Sequence, residues 1–287
     1  MILVDLNQVL ISNLMAQTRG KNDVKPNKEM VRHMVLNSIR GFNLKFKEEF
    51  GQQILCSDAE FPWRRKVFPH YKHTRRANRE KSGQDWDNIF KLIMDIKEEI
   101  AENLPYMVLS VDNAEADDII ATLVKRIQNQ VGPNHEKKVL ILSGDKDFIQ
   151  LHGPNVKQYN PVLNKFVGKG EDPTIYIKEH ILKGDRSDGI PNVLSDDNVF
   201  IEGRRQRPLS KKKIESWVNE VFMTFTEEEQ KNYNRNRQLI DLSCIPPELE
   251  EKIINEFIDV KVASRDKILN YFITKKLKTL IEVIDEF

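Results

Sequence analysis

Four short, unbroken apolar runs set the tightest limits on how this chain folds, because each has strand length and each is followed by acids. Ile2-Leu3-Val4 ends at Asp5, and Gln53-Ile54-Leu55-Cys56 ends just before Asp58. Tyr106-Met107-Val108-Leu109 leads to Glu115, Asp117 and Asp118; Val139-Leu140-Ile141-Leu142 leads to Asp145 and Asp147. Runs without polar alternation suit strands buried on both faces, and helix-length spacers suit right-handed parallel crossovers. The spacers carry apolar residues at helical spacing over 30–50 (Met30, Met34, Val35, Ile39, Phe42, Phe46), 89–100 and 119–127. Residues 1–180 therefore read as an α/β domain with a mostly parallel central sheet flanked by helices.

Beyond that point the strand signal fades. Segments 174–183, 211–223, 247–258 and 265–286 read as helices, so 181–287 is expected to form a helical C-terminal lobe. Segment 61–88, with Pro62, Pro69 and Gly83, reads as a long polar connection that orders on binding a partner. A chain of 287 residues with 39% hydrophobic content supports a main domain and a satellite. No apolar run approaches the roughly 18 residues of a membrane span, and Met1-Ile-Leu-Val-Asp5 is no signal peptide. Two distant cysteines, Cys56 and Cys244, argue against a disulfide framework or a thiolate zinc site and for a cytoplasmic protein.

The acids carry the chemistry. A fifth pair, Asp185 and Asp188, follows the helix expected at 174–183. In open α/β sheets, ligands sit outside the carboxyl ends of the strands, so the four strand-end groups should share one edge. Any single Asp there is an ordinary turn former or helix cap; Asp118 fits that description best, as a helix-start acid, though it stays among the candidate metal ligands. Recurrence at successive strand ends is what points to a site. So many carboxylates repel one another unless cations neutralise them, and an all-oxygen donor set selects Mg²⁺, with Mn²⁺ as a substitute. Two ions fit the number of acids: one near Asp5, Asp58, Glu115, Asp117 and Asp145, the other near Asp147, Asp185 and Asp188. Asp145-Lys-Asp147 lacks the glycine and closing glutamate of a calcium-binding EF-hand loop.

Net charge is only +1, but the signs are segregated. Arg64 to Lys81 holds eight Lys/Arg against one acid, and Arg204 to Lys213 holds six and none. Phe61 to Arg76 interleaves cations with aromatics, a pattern that pairs phosphate neutralisation with base stacking. It follows Asp58 directly, so it should overhang the proposed metals.

Asp5, the segment Tyr71-Lys72-x-x-Arg75, Glu115-Ala-Asp-Asp118, Gly144-Asp-Lys-Asp147 and Gly184-Asp-x-x-Asp188 occur in an order that resembles the flap endonuclease and 5′-3′ exonuclease superfamily, its bacteriophage members above all. The resemblance covers nearly the whole chain and implies a PIN-like 5′-nuclease that removes lagging-strand RNA primers and cuts flaps during DNA replication. It implies metal ligands at Asp5, Asp58, Glu115, Asp117, Asp145, Asp147, Asp185 and Asp188. Lys72 would be the arch lysine, with Arg64, Arg75 and Arg79 on phosphates. Trp63, Arg65, Tyr71 and Arg76 are further expected nucleic-acid contacts. So are Arg204, Arg205, Arg207, Lys211, Lys212 and Lys213, which would grip duplex in a helix-turn-helix-like element in place of the family's glycine-rich hairpin. The implied substrates are DNA and RNA–DNA duplexes with 5′ ends or flaps, the implied partner a single-stranded DNA-binding protein, and the expected state a monomer. A sliding clamp is not expected, since the chain starts at its first strand with no leader to dock one. The rival readings are a single-strand PIN-type ribonuclease, a non-catalytic nucleic-acid-binding protein of the same fold, and an acidic calcium-binding protein.

Overall fold

In the computed structural model, which describes residues 1–18, 25–131, 137–220 and 224–287, the four apolar runs form strands β1 (Ile2–Asp5), β2 (Gln53–Cys56), β3 (Met107–Leu109) and β4 (Val139–Leu142). Two further strands, β5 (Val156–Asn160) and β6 (Lys165–Phe166), complete a six-stranded sheet of order β3-β2-β1-β4-β5-β6. All pairings are parallel except β5 with β6. The register sets Val4 beside Leu55 and Leu142, and Leu55 beside Val108, so the carboxyl ends finish level. Strand order reverses between β1 and β4, which opens the crevice where such sheets bind ligands. Asp5 and Asp145 stand at that reversal.

The helices are α1 (Leu6–Thr18), α2 (Lys28–Phe50), α3 (Arg64–Val67), α4 (His73–Lys81), α5 (Trp86–Asn103), α6 (Ala116–Val131), α7 (Pro173–Lys183), α8 (Lys211–Asn219), α9 (Glu227–Ile240), α10 (Pro247–Asp259), α11 (Lys267–Thr274) and α12 (Lys278–Ile281). Side chains alternate across the sheet. Ile2, Val4, Leu140 and Leu142 face α1, α2 and α5, while Leu3, Ile54, Val139 and Ile141 face α6. The result is a three-layer sandwich.

Three expectations need correction. Segment 61–88 is not an open connection: α3, α4 and the start of α5 occupy it, and Lys72 N–H bonds to the Asp188 carbonyl at 2.7 Å. Residues 181–287 form the expected helical region but pack in more than one place. Leu249 and Ile253 of α10 join the core beneath α6, and Ile268, Tyr271, Phe272, Leu280 and Phe287 join the opposite one. The more separate helical body is the part around α7, α8 and α9, with one core of its own (Leu182, Val193, Ile214, Trp217 and Val218) and another shared with Phe68 and Tyr71. The helix expected over 265–286 breaks at Lys275–Leu277, where Lys276 has φ 57°, and the end of the one expected over 211–223 lies outside the described residues. Among the described residues no helix is long and apolar enough to cross a membrane.

Candidate active site

Each acid is delivered by the end of an element. Asp5 closes β1 and accepts from Gln8 N–H and Ser143 Oγ–H, both at 3.0 Å. Asp58, past β2, accepts from Asn7 Nδ2 and from the Ala116 amide at 2.8 Å, which ties it to the start of α6. Asp145 follows β4 and accepts from the Asp147 amide at 3.0 Å. Asp185 and Asp188 follow α7 through Gly184. That glycine has φ 67°, and a Cβ there would lie 2.4 Å from the Ile190 carbonyl oxygen, so the turn admits no side chain. Asp5, Asp58, Glu115, Asp117, Asp145, Asp147, Asp185 and Asp188 all open onto one cleft of about 620 Å³, which Arg65, Lys72, Arg75 and Arg79 also line.

The crowding has electrostatic consequences. Burial, reinforced by the charge of Asp58, pushes the Asp5 carboxyl up to about 7. Burial and the neighbouring Asp145 do the same for Asp147, to about 7, and raise Asp117 well above the carboxylate range. Burial would also raise Glu115, but Lys72 and Arg64 outweigh it and hold that carboxyl below its ordinary value. Carboxylates in this state match the needs of divalent cations, which supply the missing positive charge.

Several expected residues sit elsewhere than a surface role requires. Asp118 is fully buried; it accepts from Trp63 Nε1 (3.2 Å), Arg64 Nη1 (2.8 Å) and the Glu115 amide (2.9 Å), and so is a helix-start brace rather than a metal ligand. Arg64 is 2% exposed. Its guanidinium bridges Glu115 (3.0 Å) and Asp118 and donates to the Leu239 carbonyl (2.8 Å), which leaves no face for a phosphate. Trp63 and Tyr71 are likewise buried. The Tyr71 hydroxyl lies 3.0 Å from Glu115 Oε2 and 3.1 Å from Asp188 Oδ2, so its ring packs inside and cannot stack a base. The segment reads as polar in sequence; Arg64 is drawn inside by its ion pairs with Glu115 and Asp118, and Trp63 and Tyr71 by the hydrogen bonds they donate to Asp118, Glu115 and Asp188. The aromatic faces that do line the cleft are Trp86 and Phe90 of α5, with the Arg79 guanidinium over both rings (5.9 and 5.1 Å).

Lys72, at the head of α4 with φ 58°, pairs with Glu115 and stands 3.8 Å from Asp188. Arg75 pairs with Asp188. Arg65 and Arg76 are exposed, Arg76 pairing with Glu80. In the second basic run, Arg204 binds Asp196 and Glu202, Arg207 approaches Asp196 and Glu228, and Lys213 binds Glu229. Arg205, Lys211 and Lys212 are exposed cations without such partners among the described residues.

The expected second cluster gains a neighbour. Asp188 is engaged by Arg75 and Tyr71, and Asp147 and Asp185 form a tight group with His180, each offering one donor atom within 4.8 Å of the others. Sequence reasoning gave no histidine a role; the one signal was His180 lying a helical turn and a cap ahead of Asp185. Gln8, whose side chain accepts from the Gly144 amide at 2.6 Å, was missed as well.

Comparison with known proteins places residues 1–182 in the family of the 5′-3′ exonuclease N-terminal resolvase-like domain, and residues 171–287 in that of the C-terminal part of T4 RNase H. The chain is 35% identical to Ribonuclease H of Enterobacteria phage T4 over 99% of its length and 95% of that protein. It is 32% identical to a 5′-3′ exonuclease of Buchnera aphidicola over 49% of this chain and 47% of the relative. In fold it is similar to the flap endonuclease of bacteriophage T5 in a complex with DNA and metal ions, with a TM-score of 0.61 at 16% identity over 90% of this chain and 98% of the other. The T5 5′-exonuclease with bound zinc is equally similar, with a TM-score of 0.61 over 91% of this chain and 98% of that one.

Proposed function

Because this chain belongs to the 5′-3′ exonuclease family, with the C-terminal part of the T4 RNase H group, we propose that it hydrolyses phosphodiesters at 5′ ends and 5′ flaps of RNA–DNA and DNA duplexes, clearing lagging-strand RNA primers in phage DNA replication. One observation carries this reading: eight carboxylates from four strand ends and the α7 turn open onto a single cleft rimmed by Arg65, Lys72, Arg75 and Arg79. Two divalent ions bound there, magnesium before manganese, would supply an activated water and stabilise the charge that develops at phosphorus. Asp5, Asp58, Glu115, Asp117 and Asp145 would hold one, and Asp147 with Asp185 and Asp188 the other.

The protein's own cations do the rest. Lys72 and Arg75 are now occupied by Glu115 and Asp188. Metal binding would compensate those carboxylates and free the two side chains for the scissile phosphate. Trp86 and Phe90, beside Arg79, offer faces on which an unpaired 5′ strand stacks. Arg205, Lys211 and Lys212 are placed for duplex phosphates, with the helical body of α7–α9 as the duplex grip. A single-stranded DNA-binding protein fits as a partner on family grounds, and we take the protein to act as a monomer.

A magnesium titration on a 5′-labelled flap and on a nicked RNA–DNA hybrid tests this. Short products released from the 5′ end are expected with magnesium, fewer with none, and loss of about a thousandfold in Asp145→Asn. Unchanged cleavage in that variant, or cutting only within single strands, would sink the reading.

A further inference from the structure

His180 lies in the last turn of α7, its carbonyl bonded by the Gly184 amide at 2.9 Å, so the helix cap fixes where its ring stands. Tyr176, one turn earlier, packs edge-on against that ring at 5.7 Å between centroids. Both ring nitrogens face carboxylates. Nε2 is 3.5 Å from Asp185 Oδ2, and Nδ1 is 3.2 Å from Asp147 Oδ1. Yet Nδ1, sealed from solvent, has no hydrogen bond of acceptable angle.

This arrangement is incomplete as it stands. Carboxylates on both sides favour a proton on each nitrogen, yet at Nδ1 that proton finds no acceptor at an acceptable angle, and without it the lone pair meets the Asp147 carboxylate acceptor against acceptor. A cation between them removes the conflict. The spacing suits one: two donor atoms at adjacent positions on an ion with bonds of about 2.1 Å stand about 3.0 Å apart, close to the 3.2 Å between Nδ1 and Asp147 Oδ1. The other nitrogen, held by Asp185, completes the carboxylate–histidine–metal relay that sets ring orientation and basicity in metal sites.

We propose that His180 is a nitrogen ligand of the second divalent ion, so that the two positions in the cleft differ in kind. The one near Asp5, Asp58 and Asp145 is all oxygen and suits magnesium. The one at Asp147 and Nδ1 of His180, with Asp185 behind the ring, has mixed donors and favours transition ions over magnesium, cobalt more than manganese, since nitrogen-donor affinity rises along the first-row series while magnesium prefers oxygen. The inference rests on the metal-dependent reading above, and goes beyond it by giving the positions unequal preferences.

The test is pulsed electron paramagnetic resonance on the full chain loaded with manganese, paired with calorimetric titration. Wild-type protein is expected to show nitrogen modulation that changes when histidine alone is isotopically labelled. In His180→Gln that modulation should vanish, one manganese affinity should fall tenfold or more, and magnesium affinity should shift less than threefold. Manganese binding without nitrogen modulation in the wild type overturns the proposal and leaves metal dependence standing, whether or not the variant folds. So does an unchanged ratio of manganese to magnesium affinity in His180→Gln. Failure to bind manganese at all removes both.

Discussion

At the scale of single residues, the metal-free site should act against its own fold. Asp5 and Asp147 titrate near 7 in the folded chain, whereas in the unfolded chain they titrate near the ordinary aspartate value of about 3.9. The unfolded state therefore gives up these protons first, and stability conferred at low pH is lost as pH rises from about 4 to about 7. Calorimetry in the presence of a chelator should show the melting temperature falling across that window, and a divalent ion at pH 8 should recover it. A flat or rising profile would mean the two carboxyls are ionised throughout. The acids themselves were legible in the sequence because strand ends repeat the same signal. Which cations and aromatics face them was not. Arg64, Trp63 and Tyr71 look like surface residues in a polar stretch, and only tertiary contact with Glu115, Asp118 and Asp188 draws them inside. His180 carried almost no local signal, since its partners come from β4 and from past the helix cap.

At the scale of elements, α3 and α4 divide labour that the sequence assigned to one basic arm. Arg64 on α3 compensates two buried acids, so Arg64→Ala should destabilise the protein by about 3–5 kcal/mol in urea unfolding. Lys72, at the strained head of α4 and more exposed, should behave oppositely: Lys72→Ala is expected to lower the cleavage rate about 100-fold with little change in stability. Equal stability losses in the two variants would contradict the division. Elements with unbroken apolar runs or clear helical spacing were readable. β5 was not, because Lys157 and Gln158 interrupt it; the buried Gln158 amide instead donates to the Ser143 and Asp145 carbonyls at 2.9 and 2.5 Å, bracing the metal loop. Nor was α9, whose inward face mixes the amides of Asn232 and Asn236 with Leu239 and Ile240. Asn232 and Asn236 donate from it to the carbonyls of Val193, Ile181 and Pro191, and the capping box of Thr226 and Glu229 marks its start.

At the scale of the molecule, the sheet is covered by residues from both ends of the sequence. Ile268, Tyr271, Phe272 and Leu280 share a core with Ile2, Val4 and Leu142, so the expected division at residue 180 does not mark two independent bodies. Phe272→Ala should cost about 3–5 kcal/mol although it lies far from the nuclease half in sequence. A fragment ending at residue 182 should lack a cooperative thermal transition by circular dichroism; a sharp one would show that the sheet closes without α11. That shared core also times the protein's birth. β1 to β4 emerge from the ribosome together with α1, α2 and α5 but long before Tyr271 and Phe272, and at about 5–20 residues per second the nascent sheet waits seconds for the last part of its cover. Closure of that core therefore waits on translation of the segment around Phe272, well after every strand-end acid has been made.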